Sequence, residues 1–291
     1  MKKSKQFGIF IGLVLAAGLP ATASLVGHWT FDGNLNESTG FAGVGVHNGQ
    51  IVDANTNIVA ATYSSDTPAV LGGGQSLDLR GADIAMRVLG SNQQNAGSAG
   101  EGGGLNPSYL GTFDTDLIAA GAFTISVWVK GIPNGNWEPY ISKNGENAGY
   151  QIRRRSNSSN PSFTLRGTAG ADDPQGASTL DNSWHLLTSV FDGVAGTRKM
   201  YFDGVLDANI NLTGEGGTWS SPRWEWLMLG GRDSGGGYTG FSQVMLDDVR
   251  IYDEALSEAA VQQLAGQIPE PATASLILLG LGGLLGLRRR R

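Results

Sequence analysis

Cysteine is absent from the 291 residues, which removes disulfides, zinc–thiolate centres and cysteine nucleophiles together. Histidine is scarce: His28, His47 and His185 are the whole supply, and no His-Glu-x-x-His or Gly-x-Ser-x-Gly pattern occurs. Glycine runs such as Gly72, Gly73 and Gly74 have no Lys-Ser or Lys-Thr behind them, so a phosphate-cradling loop is not built. Charge is sparse at 16% and mostly negative, with 20 Lys+Arg against 26 Asp+Glu and a net of −6. Nucleic acid binds proteins through basic patches and is therefore not an expected partner. No uninterrupted apolar run reaches the about 20 residues that a membrane helix needs. The two longest, 7–19 and 272–287, lie near the ends.

Glycine itself is abundant, 45 of 291 residues, about twice the usual ~7%. It follows no three-residue period, which excludes collagen. Together with 7 Trp, 7 Tyr and 10 Phe it describes a turn-rich domain with enough aromatic volume for a core. The net charge also divides unevenly. Lys2, Lys3 and Lys5 stand at one end and Arg288, Arg289, Arg290 and Arg291 at the other, while residues 24–267 hold 13 Lys+Arg against 25 Asp+Glu, a net of −12.

The three lysines, the apolar stretch 7–19 and the small residues Ala21, Thr22 and Ala23 predict a secretory signal over residues 1–23, with the mature chain beginning at Ser24. At the other end, Pro269, Glu270 and Pro271 precede a glycine-containing uncharged stretch and the four arginines. These three parts, over residues 267–291, resemble the PEP-CTERM sorting signal. The resemblance implies a Gram-negative exporter, processing by an exosortase-type enzyme, transient inner-membrane anchoring through the C-terminal segment, and delivery to the cell surface or outside. The arginines are expected to stay on the cytoplasmic side during that transit.

Between the two ends, short alternating stretches rich in β-branched and aromatic residues are separated by Gly, Asn, Asp and Pro. Strands are predicted over 25–31, 76–79, 122–130, 140–143, 150–154, 162–166, 184–191, 199–202, 226–229 and 244–252. In 122–130, Phe123, Ile125, Val127 and Val129 share a core face, and Thr124, Ser126, Trp128 and Lys130 a partly wet one. Asp203-Gly204 predicts a two-residue hairpin turn, and Asp192-Gly193 a similar one. A single helix is predicted over 258–265, with Ser257 as cap, Leu256 and Val261 as a hydrophobic staple and Gly266 as terminator. Residues 90–121 break the rhythm and read as a Gly-rich insertion.

Five ordered segments, 25–33, 121–130, 184–193, 200–204 and 246–257, resemble the landmarks of laminin G-like, concanavalin A-like domains. The resemblance covers residues 24–266 and implies an all-β, antiparallel two-sheet jelly-roll sandwich with its first and last strands close together. Glycan-cleaving members share a Glu-x-Asp-x-x-Glu strand that presents paired carboxylates. No such run is present, so no catalytic residue is assigned and the domain is expected not to be an enzyme.

Structural Ca²⁺ is the expected cofactor, since oxygen-rich turns and an acidic surface suit a hard cation. Asp247 alternates with Val249 and Ile251 and is expected to point inward, where a buried carboxylate needs a partner. The resemblance brings Asp32 near it, so Asp32 and Asp247 form the expected site, with Asn34 and Asn36 close by. Acceptance of backbone N–H groups from the turn 34–40, without metal, is the alternative. For ligand binding, Trp137, Trp219 and Trp224 occupy loop-like contexts where an aromatic ring meets amides, as sugars require. Extracellular polysaccharide or a surface glycan is the expected partner. A glycan hydrolase or lyase with an unrecognised site, and a structural adhesin for protein partners, are the alternatives. Arg153, Arg154 and Arg155 form the one internal basic cluster. It either meets a polyanionic polysaccharide or balances the acidic surface.

Overall fold

The computed structural model describes residues 24–40, 47–89, 121–143, 149–166, 175–211, 226–234 and 237–266. The signal segment 1–23, all but Gly121 of the insertion 90–121, Trp219, Trp224 and the sorting segment 267–291 lie outside the described residues. Among the described residues no helix is long and apolar enough to cross a membrane.

Two antiparallel sheets face each other. The larger joins β1 (Leu25–Trp29), β3 (Tyr63–Ser64), β4 (Ser76–Asp78), β6 (Ala122–Lys130), β10 (Trp184–Asp192), β11 (Thr197–Phe202), β12 (Val205–Asn211) and β16 (Met245–Tyr252). Its order is β12-β11-β10-β6-β16-β4-β3, with β1 also pairing with β16. The smaller runs β2-β5-β13-β7-β8-β9, built from β2 (Gly49–Asp53), β5 (Ile84–Val88), β7 (Pro139–Lys143), β8 (Gly149–Arg154), β9 (Pro161–Arg166) and β13 (Leu227–Leu229). β14 (Arg232–Asp233) and β15 (Tyr238–Thr239) form a short ribbon. This is the expected jelly-roll sandwich, with first and last strands adjacent.

The core lies between the sheets. Phe123 on β6 packs across to Tyr150 on β8 at 5.2 Å and to Phe163 on β9 at 6.2 Å, edge to face, and beside Phe191 on β10 at 5.5 Å. Ile125, Val127 and Val129 are all fully buried in the same cluster, as their alternation predicts.

The other face of β6 is drier than expected. Thr124, Ser126 and Trp128 are buried, and the chain after β16 folds back onto Thr124. Thr124 Oγ1 donates to the Glu254 carbonyl at 2.8 Å and accepts from Leu256 N at 2.9 Å. The helix α1 (Glu258–Leu264) then sets Val261 against Val190 and Tyr201, with Leu256 and Ala255 alongside. Ser257 Oγ accepts from Ala260 N at 3.3 Å and Gly266 takes φ +70°, so cap and terminator are those that the sequence signals. At the β11–β12 hairpin, Asp203 and Gly204 both take positive φ, 49° and 80°, the geometry that twists with its strands.

Candidate functional site

Two places bring the predicted residues into defined surroundings. The first lies where β1 ends beside β16. β16 is bulged between Asp247 and Arg250, and Asp248 adopts φ +44°. The extra residue breaks the alternation: Asp247 pairs with Trp128, on the sheet face opposite to Val249, which pairs with Trp29. Asp247 is nevertheless 2% exposed, so the expectation of burial holds, while the expected sharing of a face with Val249 and Ile251 is corrected by the bulge.

Burial pushes the Asp247 carboxyl up to about 7, and the nearby charges of Asp248 and Asp32 add to the rise. The Asp248 N–H, which donates to Asp247 Oδ1 at 2.8 Å, works the other way. Asp32 sits just after β1, following Phe31 at φ +58°. Its Oδ1 accepts from Gln75 N at 2.9 Å, and a Cβ on Gly74, itself at φ +105°, would collide with that carboxylate. Glycine at 74 thus lets the loop close onto Asp32.

Asp248 has a different environment. Burial works to raise its carboxyl, but His28 Nε2 at 2.7 Å and Arg250 at 3.0 Å outweigh burial and hold it below the usual carboxylate range. The turn 34–40 does not serve Asp247. Glu37 accepts from His28 N, Thr39 N and Gly40 N at 2.7 to 3.0 Å, and Asn34 Oδ1 accepts from Asn36 N. Asp32 lies near enough to act electrostatically on Asp247, while Asn34 Oδ1 and the Asn36 N–H are engaged with each other. No group of three or more His, Asp or Glu side chains able to hold a metal is found among the described residues. A cation here would need backbone carbonyls and water to complete the six to eight oxygens that calcium takes.

The second place is a hollow of about 600 Å³ at the edge of the smaller sheet, lined by Trp137, Arg155, Ser156, Asn157, Ser158 and Gln175. The loop between β6 and β7 supplies Trp137, and the β8–β9 turn supplies residues 155–158. Two of these, Trp137 at φ +60° and Ser156 at φ +48°, hold left-handed backbone that side chains rarely adopt. The Arg153 guanidinium carbon lies 4.5 Å from the Trp137 ring centroid, in cation–π range, and Arg232 Nη1 donates to the Trp137 carbonyl.

Arg154 is 8% exposed and fastens the two loops. It donates to the carbonyls of Pro133, Gly135, Ser158 and Asn157 and to Asn157 Oδ1. Of the predicted ring residues, Trp137 lines the hollow, and Trp219 and Trp224 are outside the described residues. Sequence reading did not single out Asn157 or Gln175. For Asn157 the only signal is a polar turn, Ser156-Asn157-Ser158-Ser159-Asn160, between two strand-like runs, and Gln175 lies outside it.

Domain 4 of AbnA, a GH43 extracellular arabinanase from Geobacillus stearothermophilus, solved in complex with arabinotriose, is similar at TM-score 0.54 and 19% identity, over 84% of this chain and 98% of that one. The binding domain of Botulinum neurotoxin DC in complex with SialylT gives TM-score 0.54 and 14% identity over 85% of this chain. The binding domain of Botulinum neurotoxin serotype C1 gives 0.52 and 16%, also over 85%. The match spans about half of each neurotoxin chain, 52% and 53%. At these identities the likeness is one of fold. No curated protein matches the chain. The PEP-CTERM protein-sorting motif matches residues 267–291. Since the model of the concanavalin A-like lectin/glucanases superfamily (Laminin_G_3) matches residues 106–262, more than half of the sequence, the chain belongs to that superfamily.

Proposed function

We propose that the jelly roll is a non-catalytic carbohydrate-binding domain of an exported, envelope-sorted protein, and that it holds extracellular polysaccharide or a surface glycan at the hollow beside Trp137. One observation carries this reading: an aromatic ring, backed by Arg153 and fixed in left-handed backbone, lines a hollow whose other described residues carry amides, hydroxyls and a guanidinium. A sugar presents a C–H face for a ring and hydroxyls for directional polar partners. The similarity to a domain solved with arabinotriose supports it.

The test is glycan-array and affinity-electrophoresis binding of the full chain. Trp137→Ala is expected to weaken retention about tenfold or more, while Trp219→Ala and Trp224→Ala report on the two sequence-nominated rings. Unchanged binding by Trp137→Ala moves the platform elsewhere. Release of reducing sugar from a polysaccharide panel would favour a hydrolase or lyase. Absence of any glycan ligand, with capture of a protein partner, would favour an adhesin.

A second reading concerns calcium. A carboxyl 98% buried beside a second carboxylate, with its proton affinity raised, is what a bound divalent cation relieves. Asp32 and Asp247 would supply the side-chain oxygens of a structural site. Melting at neutral pH with excess Ca²⁺ and with chelator tests this: a Tm rise with Ca²⁺ that Asp247→Asn abolishes is expected, and identical Tm values overturn it.

We propose further that the chain is processed by an exosortase-type enzyme after transient membrane anchoring, a reading that the sorting motif supports. A C-terminal tag should be lost in exosortase-positive cells, and its persistence on the exported domain opposes processing.

A further inference from the structure

Arg155 separates from its neighbours in a way that bears on which glycan the hollow takes. Arg153 is 4% exposed and lies over Trp137, and Arg154 is spent on loop carbonyls. Arg155 is half-buried, lines the hollow, and its guanidinium has no partner among the described residues. Among the described residues, the hollow's lining contains no carboxylate. Among the described residues, the nearby acids are engaged elsewhere: Glu138 accepts from Gly135 N at 2.6 Å, and Asp207 accepts from Ser178 Oγ at 2.7 Å. Arg153 over the ring and Arg155 in the lining thus bring two arginines to one hollow, on a domain whose net charge is −12. At physiological salt a Debye length of about 8 Å screens most of that distant acidity. The local field and the bidentate fork of Arg155 then govern recognition.

Resting on the glycan-binding reading above, we propose that the hollow is selective for a negatively charged sugar residue, one carrying a carboxylate or a sulfate ester, with Arg155 as its anion contact and Trp137 as its stacking ring. Gln175, Ser156 and the Asn157 amide nitrogen line the same hollow and have no side-chain partner among the described residues. They are placed to meet the sugar's hydroxyls.

The experiment uses charge-matched pairs: oligogalacturonate against its methyl ester, and a sulfated against an unsulfated cello-oligosaccharide, titrated onto the full chain beside a neutral glycan array. The charged member of a pair is expected to bind about tenfold more tightly, as one charge-assisted hydrogen-bonded contact provides. Arg155→Gln should erase that preference by lowering affinity for the charged member to that for the neutral one, Arg155→Lys should retain part of it, and Trp137→Ala should weaken both members. Unchanged Tm in the Arg155 variants separates lost recognition from lost folding. Equal binding of charged and neutral members, or a preference that survives Arg155→Gln, overturns the selectivity and leaves glycan binding in place. Retention of no glycan of either kind overturns both.

Discussion

Arg153, Arg154 and Arg155 are chemically alike and adjacent, yet each meets a different environment because β8 ends at Arg154. Arg154 makes five hydrogen bonds to loop oxygens with little exposure, so its removal leaves buried carbonyls unpaired. Arg154→Ala is expected to cost on the order of 3 kcal/mol in denaturant unfolding and to weaken glycan retention as the two loops separate. Asp247 offers a second residue-scale prediction. Its folded carboxyl titrates near 7, above its unfolded value, so the folded state binds the extra proton between about pH 4 and 7. Metal-free protein should therefore lose stability as pH rises through that window, on the order of a few kcal/mol relative to Asp247→Asn. Unfolding free energies of the two proteins from pH 4 to 8 measure the difference, and Ca²⁺ bound at the site would flatten it near neutrality. His47 acts with the opposite sign. Burial lowers its affinity for a proton, so it favours the fold as pH rises toward the ordinary histidine value, which is why the comparison with the variant is needed.

Among the elements, α1 shows how a short helix can matter through what it covers. Seven residues cannot be stable alone. Placed on the back of the larger sheet, they bury Val261 completely, a gain of about 1.5–3 kcal/mol for a side chain of this type. Ser257→Ala should cost about 1 kcal/mol by removing the cap, and Val261→Ala about 2–3 kcal/mol by opening a cavity beneath the helix, both read from denaturation midpoints. At the β11–β12 hairpin, Gly204 takes φ +80°. Gly204→Ala is expected to cost about 1–2 kcal/mol without changing glycan binding, since the turn belongs to the other sheet from the hollow.

For the whole molecule, stability without cysteine rests on one continuous core between two sheets and on the helix-covered outer face. Sorting is marked separately, by the PEP-CTERM motif at residues 267–291. Intact-mass spectrometry of exported material is expected to show a chain beginning at Ser24, and a mass that includes residues 1–23 contradicts the signal reading.

Much of this was legible in the residues themselves. Period-two alternation placed β6, β10 and β16, because side chains on a strand must alternate faces. Asp203-Gly204 and Ser257 marked a turn and a cap through local chemistry that needs no distant partner. The proline-flanked glutamate and terminal arginines carried the sorting motif in full. Other features were invisible there. β2 and β5 are short and compositionally ordinary, and they are strands because neighbours pair with them. The face of Asp247 depended on a bulge that adds one residue to β16. The three arginines parted only where two loops met around Trp137. The sequence by itself determined the turn, the cap and the sorting motif, since each is a property of contiguous residues. Only the tertiary structure decided which charges are buried, paired or open to a ligand, since burial and electrostatic environment are set by groups far apart along the chain.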